Sequence, residues 1–195
     1  MPISLTNQEK IKVLDVGSGF EDRCEKEFYP EAEITSIDIL SGWDVIEKGL
    51  PEGDWDVIFA NHIIEHLSDP DYFLDECHRV MDENTILNIG TPNLTAWFNR
   101  ILFLFGYVPH SVELSTKFNV GKPFNWGKEP LGGHKYIYTL PALMQLLKHH
   151  GFKTIYMVGE YSTYPCNFLI KKIDRFMTIL SPTFASAIRV IAKKC

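Results

Sequence analysis

Short apolar runs alternate with polar or amphipathic stretches along the first half of the chain. Lys12 to Val16 (KVLDV), Ile34 to Ile37 (ITSI), Asp56 to Ala60 (DVIFA) and Thr85 to Ile89 have the length and apolar character of buried strands. A polar helical stretch begins near Phe20. The spacing predicts a further helix over Asp69 to Met81: Asp69 sits at the cap, Pro70 at the first helical position, and Phe73, Leu74, Cys77, Val80 and Met81 recur with helical periodicity. Strands separated by helices imply right-handed crossovers and a mostly parallel sheet covered on both faces. Near the end the pattern returns. Thr139 caps a helix through His150, Gly151 stops it, Phe152 to Val158 forms a strand, and Ala187 to Ala192 is the last strand.

Between these regular parts, residues 91–138 read differently. Leu94 to Phe105 is helical in pattern, and a long irregular connection follows. Connections of that size in a compact domain are commonly lids or binding loops. Trp97, Phe98, Phe103, Phe105, Phe118, Phe124 and Trp126 make this one too aromatic to be disordered. Core packing is the expected use of Trp97, Phe98, Ile101, Leu102, Leu104 and Phe105, with a substrate pocket, a homodimer contact or a membrane-surface contact as the alternatives. No linker interrupts the chain, so residues 1–195 are expected to form one domain with 91–138 as its insertion.

Composition narrows the classes. Hydrophobic residues make up 45% and charged residues 23% of the 195, as in ordinary globular domains. The net charge of −6 argues against broad nucleic-acid binding, which needs a positive surface. Cys24, Cys77, Cys166 and Cys195 form no Cys-x-x-Cys pair, so neither a zinc ribbon nor a disulfide framework is indicated, and reduced thiols in the cytoplasm are expected. No stretch has the length of a transmembrane helix, and the first residues lack the apolar core of a signal peptide.

The chemistry concentrates at the first strand. Strand, Gly17-Ser18-Gly19 and helix in that order place a ligand at the carboxyl edge of a parallel sheet. A dinucleotide would want a small residue at position 22, but Glu21 and Asp22 would repel its pyrophosphate. A phosphate-free, cationic cofactor such as S-adenosylmethionine suits these carboxylates, and Asp15 can also face a cation. Asp38 ends the second strand, 19 residues after Gly19, where an acid can accept from both ribose hydroxyls. Asp44 could accept from an adenine amino group, or simply form a turn.

The segments KVLDVGSG, SID, WDVIFANHIIEHLSDPDYFLDECHRVM, ILNIGTPN and GHKYIYTLPALMQLLKHHGF together resemble class I S-adenosylmethionine-dependent methyltransferases of the small-molecule kind, often called type 11. TPNLTAWFNRILFLFGYVP is also similar to the matching part of MetW-type proteins. The resemblance implies an α/β, Rossmann-like sheet of about seven strands, mostly parallel with a reversed last strand, and an aromatic-rich insertion after the fifth. It implies that the Gly17-Ser18-Gly19 loop holds the methionine part and Asp38 the ribose, with Phe20 and Ile39 among the other cofactor-binding residues. Asp44 and Val45 are then expected at the adenine, and Asn61 and His62 along the methionine. Three departures stand out: Glu21 replaces the family's third loop glycine, five residues separate Asp38 from Asp44 where a helix is usual, and only residues 1–11 precede the first strand.

His62-Ile-Ile-Glu65-His66 also spells the H-x-x-E-H of some zinc peptidases. Its position after a parallel strand disagrees with that use, and no metal is expected. His66 is a candidate base beside the transferred methyl, as is His134 in GGHKYIYT where the insertion returns; a structural capping role is the alternative for each. Arg100 reads as a solvated charge, and His110, His149 and His150 as surface or helix-end residues. The strand ending at Ala60 is followed by Asn61-His62-Ile63, not by the N-P-P-Y of base-methylating enzymes. The expected activity is therefore methyl transfer from S-adenosylmethionine, leaving S-adenosylhomocysteine, to a small-molecule acceptor compatible with an apolar or aromatic lining. A non-catalytic or regulatory binding module and an NAD-dependent oxidoreductase are the competing classes.

Overall fold

Val13, Leu14 and Val16 are fully buried, so Lys12–Val16 needs apolar cover on both faces and lies inside a sheet as β1. The computed structural model describes residues 10–19, 28–123, 132–161 and 168–195. In it β1 pairs in parallel with β2 (Glu33–Ile37) on one side and β3 (Val57–Asn61) on the other. β4 (Ile86–Pro92) lies parallel beyond β3. β6 (Ala187–Lys194) inserts antiparallel between β4 and β5 (Phe152–Glu160), giving the order β2-β1-β3-β4-β6-β5. The last strand is reversed, as the resemblance implies.

The sheet has six strands among the described residues, not about seven. The difference has a local cause. After β2 the chain makes only a 3-10 turn (Ile39–Ser41) and the one-turn helix α1 (Val45–Lys48) before entering β3. Such a short connection cannot carry another helix and strand.

One face of the sheet is covered by α2 (Pro70–Val80) and α4 (Leu140–His149). Asp69 caps α2 by accepting from the Tyr72 amide at 2.9 Å, and Thr139 caps α4 by accepting from Ala142 at 3.2 Å. Phe73, Leu74 and Cys77 of α2 and Leu143 and Leu147 of α4 pack with Leu14, Ile58, Leu87 and Ile89 of the strands. On the opposite face Val13, Val57 and Phe59 pack with Ile11, Phe28 and Tyr29.

Two further helices depart from the sequence reading. α3 (Trp97–Leu104) buries only Asn99 and Leu102, while Ile101, Phe103, Leu104 and the following Phe105 are exposed. The core-packing expectation for this helix therefore fails for most of its apolar residues. α5 (Phe168–Leu180) was not anticipated. Its one buried residue, Asp174, accepts from Trp97 Nε1 at 2.9 Å and Ser186 Oγ at 2.8 Å, which ties α3 and α5 together. No described helix is long and apolar enough to cross a membrane.

Candidate active site

Parallel register brings Val16, Ile37 and Ala60 side by side. The residues that follow them, Gly17, Asp38 and Asn61, emerge together at the carboxyl edge. This is where open α/β sheets bind ligands. Gly17 adopts φ +77°, and its amide donates to the Ile37 carbonyl at 2.8 Å. A Cβ on Gly17 would lie 2.4 Å from Ile63 Cδ1, so the turn after β3 rests directly on this glycine. Gly19, at φ +60°, has nothing within 4 Å of the corresponding position among the described residues. One side of the loop is packed and the other open.

Asp38 joins the two loops. Its Oδ2 accepts from the Gly19 amide at 3.1 Å, and its Oδ1 accepts from Leu40 at 2.7 Å as cap of the 3-10 turn. Ile39 beside it is 66% exposed. Asp44 Oδ1 accepts from the Ile46 amide at 2.8 Å and caps α1, the turn-forming role weighed above. Val45 buries its side chain in the core. Asp15 is buried within β1. Phe20, Glu21 and Asp22, with Cys24 and Cys166, lie outside the described residues.

Asn61 is fixed from behind. Arg189 on β6 donates to Asn61 Oδ1 and to Asn88 Oδ1, each at 3.0 Å, and pairs with Glu160. Its guanidinium lies 4.2 Å from the Phe28 ring centroid. Sequence reasoning passed over this residue; a lone arginine inside the apolar run AIRVIA was the available signal.

The H-x-x-E-H segment is a turn rather than a helix. His62, at φ +56°, has Nδ1 3.1 Å from Glu65 Oε1. Glu65 is completely buried; its Oε2 accepts from Thr91 Oγ1 at 3.0 Å. Its backbone carbonyl accepts from Lys135 at 2.7 Å and Tyr136 at 3.2 Å, which fastens the returning insertion onto the turn. His66 and His134 then pack together with ring centroids 4.7 Å apart and planes tilted by 57°. Two candidate residues far apart in sequence thus meet, whereas the pair His62 and His66 required of a peptidase does not form the group.

Burial, and then the neighbouring His134, lower the pKa of His66 from its ordinary value, although Glu65 opposes them. The insertion supports the second imidazole: His134 Nδ1 donates to the Ser111 carbonyl at 2.9 Å, and the Gly133 amide donates to Glu113 at 2.9 Å. His110 is half-buried, and burial, followed by Lys122 and His134, lowers its pKa. His150 lies between Asp71 and Asp75 at 2.8 and 2.7 Å. Arg100 is exposed, as expected of a solvated charge, while donating to the Thr95 carbonyl and lying over the Phe184 ring.

Several solved structures of similar fold are methyltransferases. An S-adenosylmethionine-dependent methyltransferase from Archaeoglobus fulgidus matches with a TM-score of 0.55 at 20% identity, over 95% of this chain and 86% of its own. One from Mesorhizobium loti matches with a TM-score of 0.53 at 13% identity, over 95% and 91%. The Burkholderia thailandensis 1,6-didemethyltoxoflavin-N1-methyltransferase, solved with 1,6-didemethyltoxoflavin and S-adenosylhomocysteine, matches with a TM-score of 0.52 at 13% identity, over 95% and 71%. No curated protein matches the sequence.

The fold is the Rossmann-like fold of class I methyltransferases. Residues 1–156 match the family described as methyltransferase domain, and the chain belongs to that family. It is an S-adenosylmethionine-dependent methyltransferase, with S-adenosylmethionine as cofactor. The residues present fit that group. The open side of Gly19 leaves space for it, and the Asp38 oxygens, each accepting one amide, retain lone pairs for hydroxyl donors.

Proposed function

We propose that the enzyme methylates a small-molecule acceptor whose lost proton passes to the His66–His134 pair. The observation that carries this reading is the meeting of these two imidazoles on the turn that also packs on Gly17. The bound cofactor supplies a methyl group on a sulfonium, open to in-line displacement. Asp15, Gly17, Ser18, Gly19 and Phe20 hold its methionine part with Asn61 and His62. Asp38 accepts from the ribose, with Ile39, Asp44 and Val45 around the adenine. Most of the chain's contribution is then alignment and exclusion of water.

His66 is poised to take a proton at neutral pH, since burial favours its uncharged form. Residues 91–138 act as the lid of one domain, a reading supported by the bonds from Ser111 and Glu113 to the His134 segment. The neighbour that holds 1,6-didemethyltoxoflavin supports an acceptor of small size. Isothermal titration with S-adenosylmethionine, S-adenosylhomocysteine and NAD tests the cofactor site; transfer of labelled methyl to an acceptor panel tests the activity. Binding of the first two, not NAD, and turnover that falls in His66→Ala while cofactor binding persists are expected. Unchanged turnover in that variant removes His66 from the mechanism.

A further inference from the structure

We infer that Glu65, His66 and His134 form a binding site for one divalent transition-metal ion. Their ligand atoms all lie within 4.8 Å of one another. A tetrahedral ion about 2.1 Å from each ligand needs them about 3.4 Å apart, so binding closes the group by up to about 1.4 Å. One carboxylate and two imidazoles, with further positions open, form a donor set suited to such ions.

The hydrogen bonds leave the right atoms free. His134 Nδ1 faces a carbonyl and must carry the proton, so Nε2 bears the lone pair in the neutral ring. This is the backing that metal-bound histidines commonly have. The His66 ring lies beside that of His134, their centroids 4.7 Å apart. Glu65 is a completely buried carboxylate whose side-chain bonds come from the Thr91 hydroxyl and the His62 ring. Buried charges are normally paired or bound to metal.

The cluster is also held together without an ion. Glu65 and His66 adjoin in sequence, and the Lys135 amide bond to the Glu65 carbonyl fixes His134 beside them. Glu113, whose other oxygen holds Gly133, has Oε1 buried without a hydrogen-bond partner among the described residues, which adds negative potential next to His134. The group differs from the peptidase arrangement. His62 is not a member, and Glu65 is a ligand instead of a base.

Resting on the proposed methyl transfer only for where the acceptor stands, the ion would hold an acceptor oxygen or nitrogen at its open position. There it would lower the acceptor's pKa, taking over the role assigned above to an imidazole lone pair.

The test uses the full chain after chelator treatment. Co2+ is titrated while its visible absorption is recorded, with Zn2+ competing and S-adenosylhomocysteine titrated in parallel by calorimetry. The expected result is one equivalent of Co2+ with a ligand-field spectrum, displaced by Zn2+. The spectrum should be lost, or its midpoint weakened by more than the roughly tenfold that loss of a mere outer partner of a metal-bound histidine costs, in His134→Asn and His66→Asn. It should persist in His150→Asn, which disarms the Asp71–Asp75–His150 cluster. Circular dichroism melting confirms that each variant is folded. No stoichiometric spectrum, or one that survives in both His134→Asn and His66→Asn, overturns the metal site. If S-adenosylhomocysteine binds while Co2+ does not, the metal site alone falls; if Co2+ binds while S-adenosylhomocysteine does not, the cofactor reading falls and the metal site stands.

Discussion

Replacing Gly17 by alanine tests whether the glycine loop and the turn after β3 are one mechanical unit. Two costs add. Alanine at φ +77° pays the left-handed penalty, roughly 1–2 kcal/mol. Its Cβ would also meet Ile63 Cδ1 at 2.4 Å, Cβ at 3.0 Å and Cγ1 at 3.2 Å, an overpacking that typically costs about 1–3 kcal/mol. The sum is about 2–5 kcal/mol, a large part of the stability of an ordinary domain. Gly19→Ala is the matched control. It carries φ +60° with nothing within 4 Å, so only the first cost of about 1–2 kcal/mol applies. Urea unfolding of both variants measures the difference, and calorimetry with S-adenosylhomocysteine reads its effect on binding. Equal destabilisation of the two would refute the contact argument. A Gly17→Ala, Ile63→Ala double variant should recover part of the stability lost in Gly17→Ala alone, because Cδ1 and Cγ1 have gone and only the 3.0 Å contact with Cβ remains.

Three other outcomes are expected. Asp38→Ala should weaken S-adenosylhomocysteine binding about 10- to 100-fold, the equivalent of about 1.5–3 kcal/mol for hydrogen bonds to a charged group; an unchanged dissociation constant by calorimetry refutes the ribose role. Arg189→Met strips donors from Asn61, Asn88 and Glu160 and should cost about 3 kcal/mol in urea unfolding, near the lower end for a broken buried pair because Glu160 is partly exposed; a loss below about 1 kcal/mol would mean that water replaces the guanidinium. His66 should give turnover an acid limb below the ordinary imidazole value of 6.5. The sign for stability follows from proton binding. With its folded pKa lowered, the unfolded chain binds the proton more tightly, so the contribution of His66 is largest above pH 6.5 and is lost as pH falls from there through the folded value. Urea midpoints of the parent and His66→Asn between pH 5 and 8 check this, and an identical pH dependence in both contradicts it.

The elements legible in the sequence are those whose local signals agree with their tertiary setting. β1 shows this, since KVLDV is apolar enough for a central position and lies there over the expected residues. Asp69–Pro70 and Thr139 mark their helix starts because a cap is decided within one turn. α3 misled because its apolar composition does not say which residues find a partner: Leu102 does, while Phe103 and Leu104 do not. α5 was missed because its one buried residue is an aspartate, whose partners Trp97 and Ser186 are set by the fold. At the site, the His62, Glu65 and His66 spacing was visible. That His134 would join Glu65 and His66 depends on contacts across 65 or more residues, whereas His62 turns toward the carboxylate three residues on. Arg189 lies still further from Asn61 in sequence, and only the reversed strand brings them together.

The position of β6 also imposes an order in time. Among the described residues β5 pairs only with β6, and β4 pairs on that side only with β6. While the ribosome makes the residues between Pro92 and Ala187, the parallel half of the sheet has a bare edge and β5 has no neighbour to join. At roughly 5–20 residues per second that interval lasts roughly 5–20 s. An unpaired edge is a template for pairing with other chains. The nascent chain is thus most exposed to misassembly just before its last strand emerges. The same strand delivers Arg189 to Asn61, so sheet closure and completion of this support of the ligand edge are one event.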